Sequence, residues 1–128
     1  MLDKRKFYIN GKWVEPSKKN DYEVIDPSNE ETFAVISLGS KTDVDLAVKV
    51  SKKAFESWKE TSKEERIKLL ESLLSVYKNR FGEMTEAISK EMGAPMDWSS
   101  NVQNASGQAH LEDFIIRLKN FKFDRQFD

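Results

Sequence analysis

Apolar and polar positions change rhythm near residue 40. Residues 6–37 alternate in short runs broken by turn residues, and residues 40–121 repeat apolar positions every three or four. The first rhythm is that of strands and the second that of amphipathic helices. Within the first, Phe7-Tyr8-Ile9-Asn10-Gly11-Lys12-Trp13-Val14 predicts a β-hairpin. Asn-Gly suits a type I′ turn, where both central residues need positive φ, and aromatic and β-branched residues flank it. Glu15-Pro16 ends the second strand. Tyr22-Glu23-Val24-Ile25 and Thr32-Phe33-Ala34-Val35-Ile36 predict a second hairpin around Asp26-Pro27-Ser28-Asn29, with Gly39 as punctuation.

The helical half carries its own start signals. Ser40 followed by Asp43 predicts an N-terminus, with the Ser40 hydroxyl accepting from a first-turn amide. Val44, Ala47, Val48, Ala54, Phe55 and Trp58 then share one face, and the lysines between them lie largely on a solvated one. Ser62-Lys63-Glu64-Glu65 is a capping box, leading to Ile67, Leu70, Leu73, Leu74 and Tyr77. Asn79 marks a junction. Phe81, Met84, Ala87, Ile88 and Met92 form a third stripe that closes on Gly93 as its C′ residue. Ala94-Pro95 breaks the chain before a fourth helix bearing Val102, Ala105, Ala109, Phe114, Ile115 and Leu118. At 121–128 the rhythm turns toward period two, with Phe121, Phe123 and Phe127. A strand there needs a partner, so the tail reads as the start of an unfinished extended element. The expected class is α+β: two N-terminal hairpins and about four helices in one partial domain, 1–128.

Composition narrows the chemistry. The 128 residues carry 21 Lys+Arg against 22 Asp+Glu, a net charge of −1. No strong field points to nucleic acid or an anionic membrane. No apolar run approaches the roughly 20 residues that span a bilayer, and no signal core follows the charged start, so the expected setting is the cytoplasm. Zero Cys excludes disulfides, thiolate zinc sites and a cysteine nucleophile. The single histidine, His110, leaves no His-pair metal site. Gly11, Gly39, Gly82, Gly93 and Gly107 are too sparse for a dinucleotide or phosphate-binding glycine loop.

What remains is modest. Asp43/Asp45, Glu64/Glu65 and Glu112/Asp113 are carboxylate pairs, read as capping or solvated groups because a general acid needs burial to raise its pKa. Ser106 and His110 stand one helical turn apart, within reach of each other. No G-x-S-x-G surrounds Ser106, so that face reads as small-residue packing.

Taken in order, five segments resemble one family. Phe7 to Val14 is similar to the opening hairpin of the NAD(P)-dependent aldehyde dehydrogenases. Val24-Ile25-Asp26-Pro27-Ser28 is similar to their V-x-N-P strand. Asp43-Val44-Asp45-x-Ala47-Val48 with Ala54-Phe55 and Trp58 resembles the first helix. Glu65-Arg66-x-x-x-Leu70 resembles the second helix start, and Glu91-Met92-Gly93-Ala94-Pro95 stands at E-x-G-K-P. Asp26 replaces the usual Asn, and Ala94 the usual Lys.

The resemblance covers about residues 6–123 and implies an N-terminal piece of the α/β aldehyde dehydrogenase fold. It implies that the full-length enzyme oxidises an aldehyde to a carboxylic acid with NAD or NADP. That chemistry uses a Cys nucleophile and a Glu-activated water, neither of which maps onto a residue here. The chain alone is therefore expected to be inactive and to bind no cofactor. Its implied partners are the remainder of such a chain and further copies in a dimer or tetramer, with no nucleic acid and no membrane. Two lesser roles carry over by resemblance. Ile25, through its carbonyl, and Glu91 correspond to a monovalent-cation site of some members. Val102 and Ser106 correspond to the wall of the aldehyde tunnel. The competing reading is a stand-alone, non-catalytic α+β interaction module derived from the same family.

Overall fold

A computed structural model describes residues 1–124 and 126. They form two compact units. The first comprises residues 1–60 with 90–93, and the second residues 61–89 with 94–128.

In the first unit, β2 (Phe7–Ile9) and β3 (Lys12–Val14) form the expected hairpin, with Tyr8 opposite Trp13. Asn10 and Gly11 both take positive φ, 55° and 74°, as the type I′ turn requires. The Tyr8 and Trp13 rings stand 5.3 Å apart on the exposed strand face. The second hairpin is longer than its sequence signal. It comprises β4 (Asp21–Asp26) and β5 (Glu31–Ser37), antiparallel, with an irregularity at Val24/Ile25. Its turn is tied by Asp26, whose carboxylate accepts from the Ser28 amide at 2.9 Å and the Ser28 hydroxyl at 2.6 Å.

A further strand, β1 (Leu2–Lys4), pairs parallel with β5, giving the order β1-β5-β4. It is short and polar, so its own residues announce nothing. Arg5 secures it by reaching Asp3 at 2.6 Å and Asp21 at 3.2 Å. Helix α1 (Lys41–Trp58) follows. Its expected core face is largely open, since Val44, Val48 and Phe55 are all exposed.

The second unit holds α2 (Lys63–Asn79), started by the Ser62/Glu65 capping box, and most of α3 (Phe81–Met92). The fourth helical stretch is not uniform. A short α4 (Met96–Trp98) runs into a π-helical segment, π1 (Ser99–Asn104), and then α5 (Ala105–Asn120). Periodicity predicts a plain α-helix there. The two ends of π1, Ser99 and Asn104, are buried. Helices α2 and α5 pack together, with Ile67 and Ile115 buried. Phe114, expected in the core, is exposed, because Ile115 takes the inward position.

The tail expected to be extended holds no strand among its described residues. Phe121 has extended backbone, but its amide closes back on Leu118 at 3.2 Å. The Phe121 and Phe123 rings meet edge-on at 4.9 Å. Phe127 lies outside the described residues. No helix among them is long and apolar enough to cross a membrane.

Candidate functional site

Val102 and Ser106 fall on either side of the junction between π1 and α5. Both are exposed. The structure joins them directly, for the Ser106 hydroxyl donates to the Val102 carbonyl at 2.6 Å. That bond uses the only hydroxyl proton, so the outward lone pairs of Ser106 can only accept. It also orients the hydroxyl back along the helix rather than toward His110, which is exposed. The Ser–His pair that the spacing allows is therefore not assembled as a nucleophile and base.

Beneath this surface lies a polar cluster that the sequence rhythm does not reveal. Asn104 is only 1% exposed. Its side-chain amide donates to the Phe81 carbonyl and the Thr85 hydroxyl, each at 2.8 Å. The Tyr77 hydroxyl donates toward the Asn104 side-chain oxygen and lies 3.1 Å from its main-chain carbonyl. Thr85 in turn donates to the Phe81 carbonyl at 3.0 Å. Ser99, at the other end of π1, is fully buried. Among the described residues no buried side-chain nitrogen or oxygen lacks a partner. Five of the six residues at 99–104 are polar, so no spacing within the segment singles out Ser99 and Asn104.

Ile25 and Glu91 both belong to the first unit, on β4 and on the last turn of α3. Glu91 is exposed, as is Ile25. The ends of their elements do meet. Gly93, at φ +68°, lies so close to Pro27 that a Cβ there would stand 2.8 Å from the proline ring. Among the described residues there is no group of three or more His, Asp or Glu side chains that could hold a metal ion.

The carboxylate pairs take structural roles. Asp43 accepts from the Ser17 and Ser40 amides, both at 2.8 Å, and from the Ser40 hydroxyl at 2.7 Å. These donors, the Ser17 amide first, pull its pKa down to about 2. Glu65 is lowered in the same way by the Ser62 amide and hydroxyl. Glu112 is lowered by Lys78, its partner at 2.7 Å. A lowered pKa suits a permanent anion and not a proton donor at neutral pH.

The same Asp43 bears on cofactor binding. Ser37–Gly39–Lys41 is a strand-to-helix junction with glycine in between, the kind of place where a pyrophosphate meets a helix N-terminus. Here the Asp43 carboxylate already fills that terminus.

A groove of about 790 Å³ in the first unit is lined by Asp3, Arg5, Lys6, Trp13, Glu15 and Asp21, among others. Its lining sets four cations, Lys4, Arg5, Lys6 and Lys19, against three carboxylates, Asp3, Glu15 and Asp21, with Arg5 paired to Asp3 and Asp21, Lys6 to Glu15 and Lys19 to Asp21.

Comparison with known proteins gives a consistent result. The model of the Aldehyde dehydrogenase family matches residues 13–120. A 3-succinoylsemialdehyde-pyridine dehydrogenase from a Pseudomonas species is 38% identical over 125 residues, which is 97% of this chain and 26% of that protein. The crystal structure of an aldehyde dehydrogenase from Bartonella henselae is 52% identical, with a TM-score of 0.95 over 96% of this chain and 26% of its own. A mutant of aldehyde dehydrogenase C from Pseudomonas syringae, solved with NAD+ and octanal, is 31% identical with a TM-score of 0.94, over 97% of this chain and 26% of its own. The chain thus spans about a quarter of the length of the relatives it matches.

Proposed function

The chain belongs to the aldehyde dehydrogenase family, and from that membership we propose that it supplies the N-terminal segment of an NAD(P)+-dependent enzyme that oxidises an aldehyde to a carboxylic acid. One observation carries the reading. The fold matches the Bartonella henselae enzyme over almost all of this chain and only about a quarter of that one. The Asp43-filled helix terminus and the absence of cysteine from the sequence support a reading in which cofactor and nucleophile belong to the rest of such an enzyme. The segment's own contribution is a surface. Val102 and Ser106 face the approaching aldehyde, an apolar group beside a hydroxyl that can only accept. The carbonyl of Ile25 and the carboxylate of Glu91 hold a monovalent cation, and the close approach of Gly93 to Pro27 supports that assignment. The working protein is a cytoplasmic oligomer in which the rest of the chain covers the open helix faces.

The test is a hybrid. This chain, joined in frame ahead of the rest of the Bartonella henselae enzyme, is expected to reduce NAD+ or NADP+ with aldehydes. The 128-residue chain alone is expected to reduce neither. A folded hybrid inert toward a broad aldehyde panel would overturn the proposal, as would turnover by the repurified chain alone.

A further inference from the structure

We propose that Asn104 is a positioning residue that imposes the π turn of 99–104 and thereby aims Val102 and Ser106. The proposal rests on the reading of those two residues as the aldehyde-facing surface. The argument begins with burial. Ser99 and Asn104 are the two fully buried side chains of the stretch, at 0% and 1% exposure, and they are five residues apart. In an α-helix, five residues rotate the side chain by about 500°, leaving the two roughly 140° apart. They could not both face inward. Winding with bonds five residues long brings them to one side. The Ala105 amide indeed reaches back five residues to the Ser100 carbonyl.

Something must compensate for the poorer winding, and Asn104 is placed to do so. Its side chain is held from two helices, by Tyr77 of α2 and by Thr85 and the Phe81 carbonyl of α3. If π1 relaxed to α, Asn104 would turn away; Thr85 and the Phe81 carbonyl would keep their own bond, and the Tyr77 hydroxyl would lose the Asn104 side-chain oxygen. Unpaired buried polar groups are costly, so the network selects the π register. That register has a consequence at the surface. The extra residue in the turn rotates everything on one side of it relative to everything on the other. Val102 lies inside the turn and Ser106 just past it; four residues apart, they share a face in either winding, and the turn sets where that face points relative to the buried Asn104. π segments inside α-helices often mark functional sites, and this one is anchored from below and exposed above.

The test compares four variants in the isotope-labelled 128-residue chain, at a concentration where sedimentation shows one species. Asn104→Ala removes the anchor. Thr85→Val removes one of its acceptors, and Thr85→Ser restores the hydroxyl. Ile115→Val, in the apolar core, weakens the same unit without touching the network. Backbone NMR distinguishes amide contacts of five residues from those of four across 99–106. The expected result is loss of the five-residue pattern in Asn104→Ala and Thr85→Val, and its retention in Thr85→Ser and Ile115→Val. In the hybrid enzyme, Asn104→Ala is expected to raise the aldehyde KM several-fold and leave the NAD+ KM unchanged. Persistence of the π pattern in Asn104→Ala overturns the proposal, as does its equal loss in Ile115→Val. A changed winding with an unchanged aldehyde KM overturns the aiming role. An inactive wild-type hybrid would refute the enzymatic reading separately, and the NMR result would still decide what Asn104 does to the turn.

Discussion

A methyl group at position 107 would stand 2.6 Å from the hydroxyl oxygen of Tyr77, the same hydroxyl that donates to Asn104. Gly107 lies in the middle of a helix, where glycine is unfavourable by about 1 kcal/mol relative to alanine. The reason for it is steric: only glycine lets Tyr77 cross α5 to reach Asn104.

That relationship predicts a non-additive pair. Gly107→Ala should lower the stability of the second unit by about 1 kcal/mol, because losing the Tyr77 hydrogen bonds outweighs the helix gain. In a Tyr77→Phe background the nearest ring atom lies 3.4 Å from the new carbon, an ordinary contact. There Gly107→Ala should stabilise by about 0.5–1 kcal/mol. Urea midpoints of the four proteins of the cycle decide it, and additive effects would refute the steric account.

Asp43 sets an acid limit. Its folded pKa of about 2 lies below the ordinary value of 3.8. A depressed carboxyl stabilises the fold above its unfolded pKa and loses that contribution as pH falls through the folded value. Stability of the α1 start should therefore be level above about pH 5 and decline between about pH 4 and 2. Asp43→Asn should be less stable at pH 7 and flatter over that window. Helical signal in thermal melts from pH 2 to 7 measures this. An unaltered acid limb in Asp43→Asn would show that another carboxylate governs it.

Gly93 is required twice over, by its positive φ of 68° and by Pro27 at 2.8 Å. Gly93→Ala should cost about 1–2 kcal/mol from backbone strain alone, and more with the proline contact. Pro27→Ala removes the ring carbon that would be struck. The penalty for Gly93→Ala should then shrink toward the strain term. Equal penalties in both backgrounds, read from denaturation midpoints, would mean that Pro27 yields freely.

The apolar surface predicts behaviour in solution. Val44, Val48, Phe55, Leu69, Leu73, Phe114 and Ile116 are exposed, while Ala34, Ile67 and Ile115 are the buried apolar residues among those described. Extended apolar patches mark interfaces or aggregation sites. The chain alone should bind an apolar dye and self-associate as concentration rises, and the hybrid enzyme should bind less dye per molecule. A sharp, concentration-independent melt without dye binding would be the contrary result.

Much of this molecule is written locally. Asn10-Gly11 dictates its turn because few residue pairs accept two positive φ angles. Ser40/Asp43 and Ser62/Glu65 dictate helix starts because the capping groups sit three residues from the amides they serve. Gly93 ends α3 for the same kind of short-range reason, and five local motifs in the family's order, from Phe7–Val14 to Glu91–Pro95, carried the resemblance. Tertiary structure decided what depends on residues far apart in the chain. The strand Leu2–Lys4 forms only because β5, thirty-two residues on in register, offers it an edge. Phe114 and Ile115 are equally apolar, and only the packing of α5 on α2 turned Ile115 inward. The winding at Ser99–Asn104 was hidden most deeply. Its cause is a tyrosine twenty-seven residues away and a threonine nineteen away, and no periodicity within the helix itself records where their hydrogen bonds will fall.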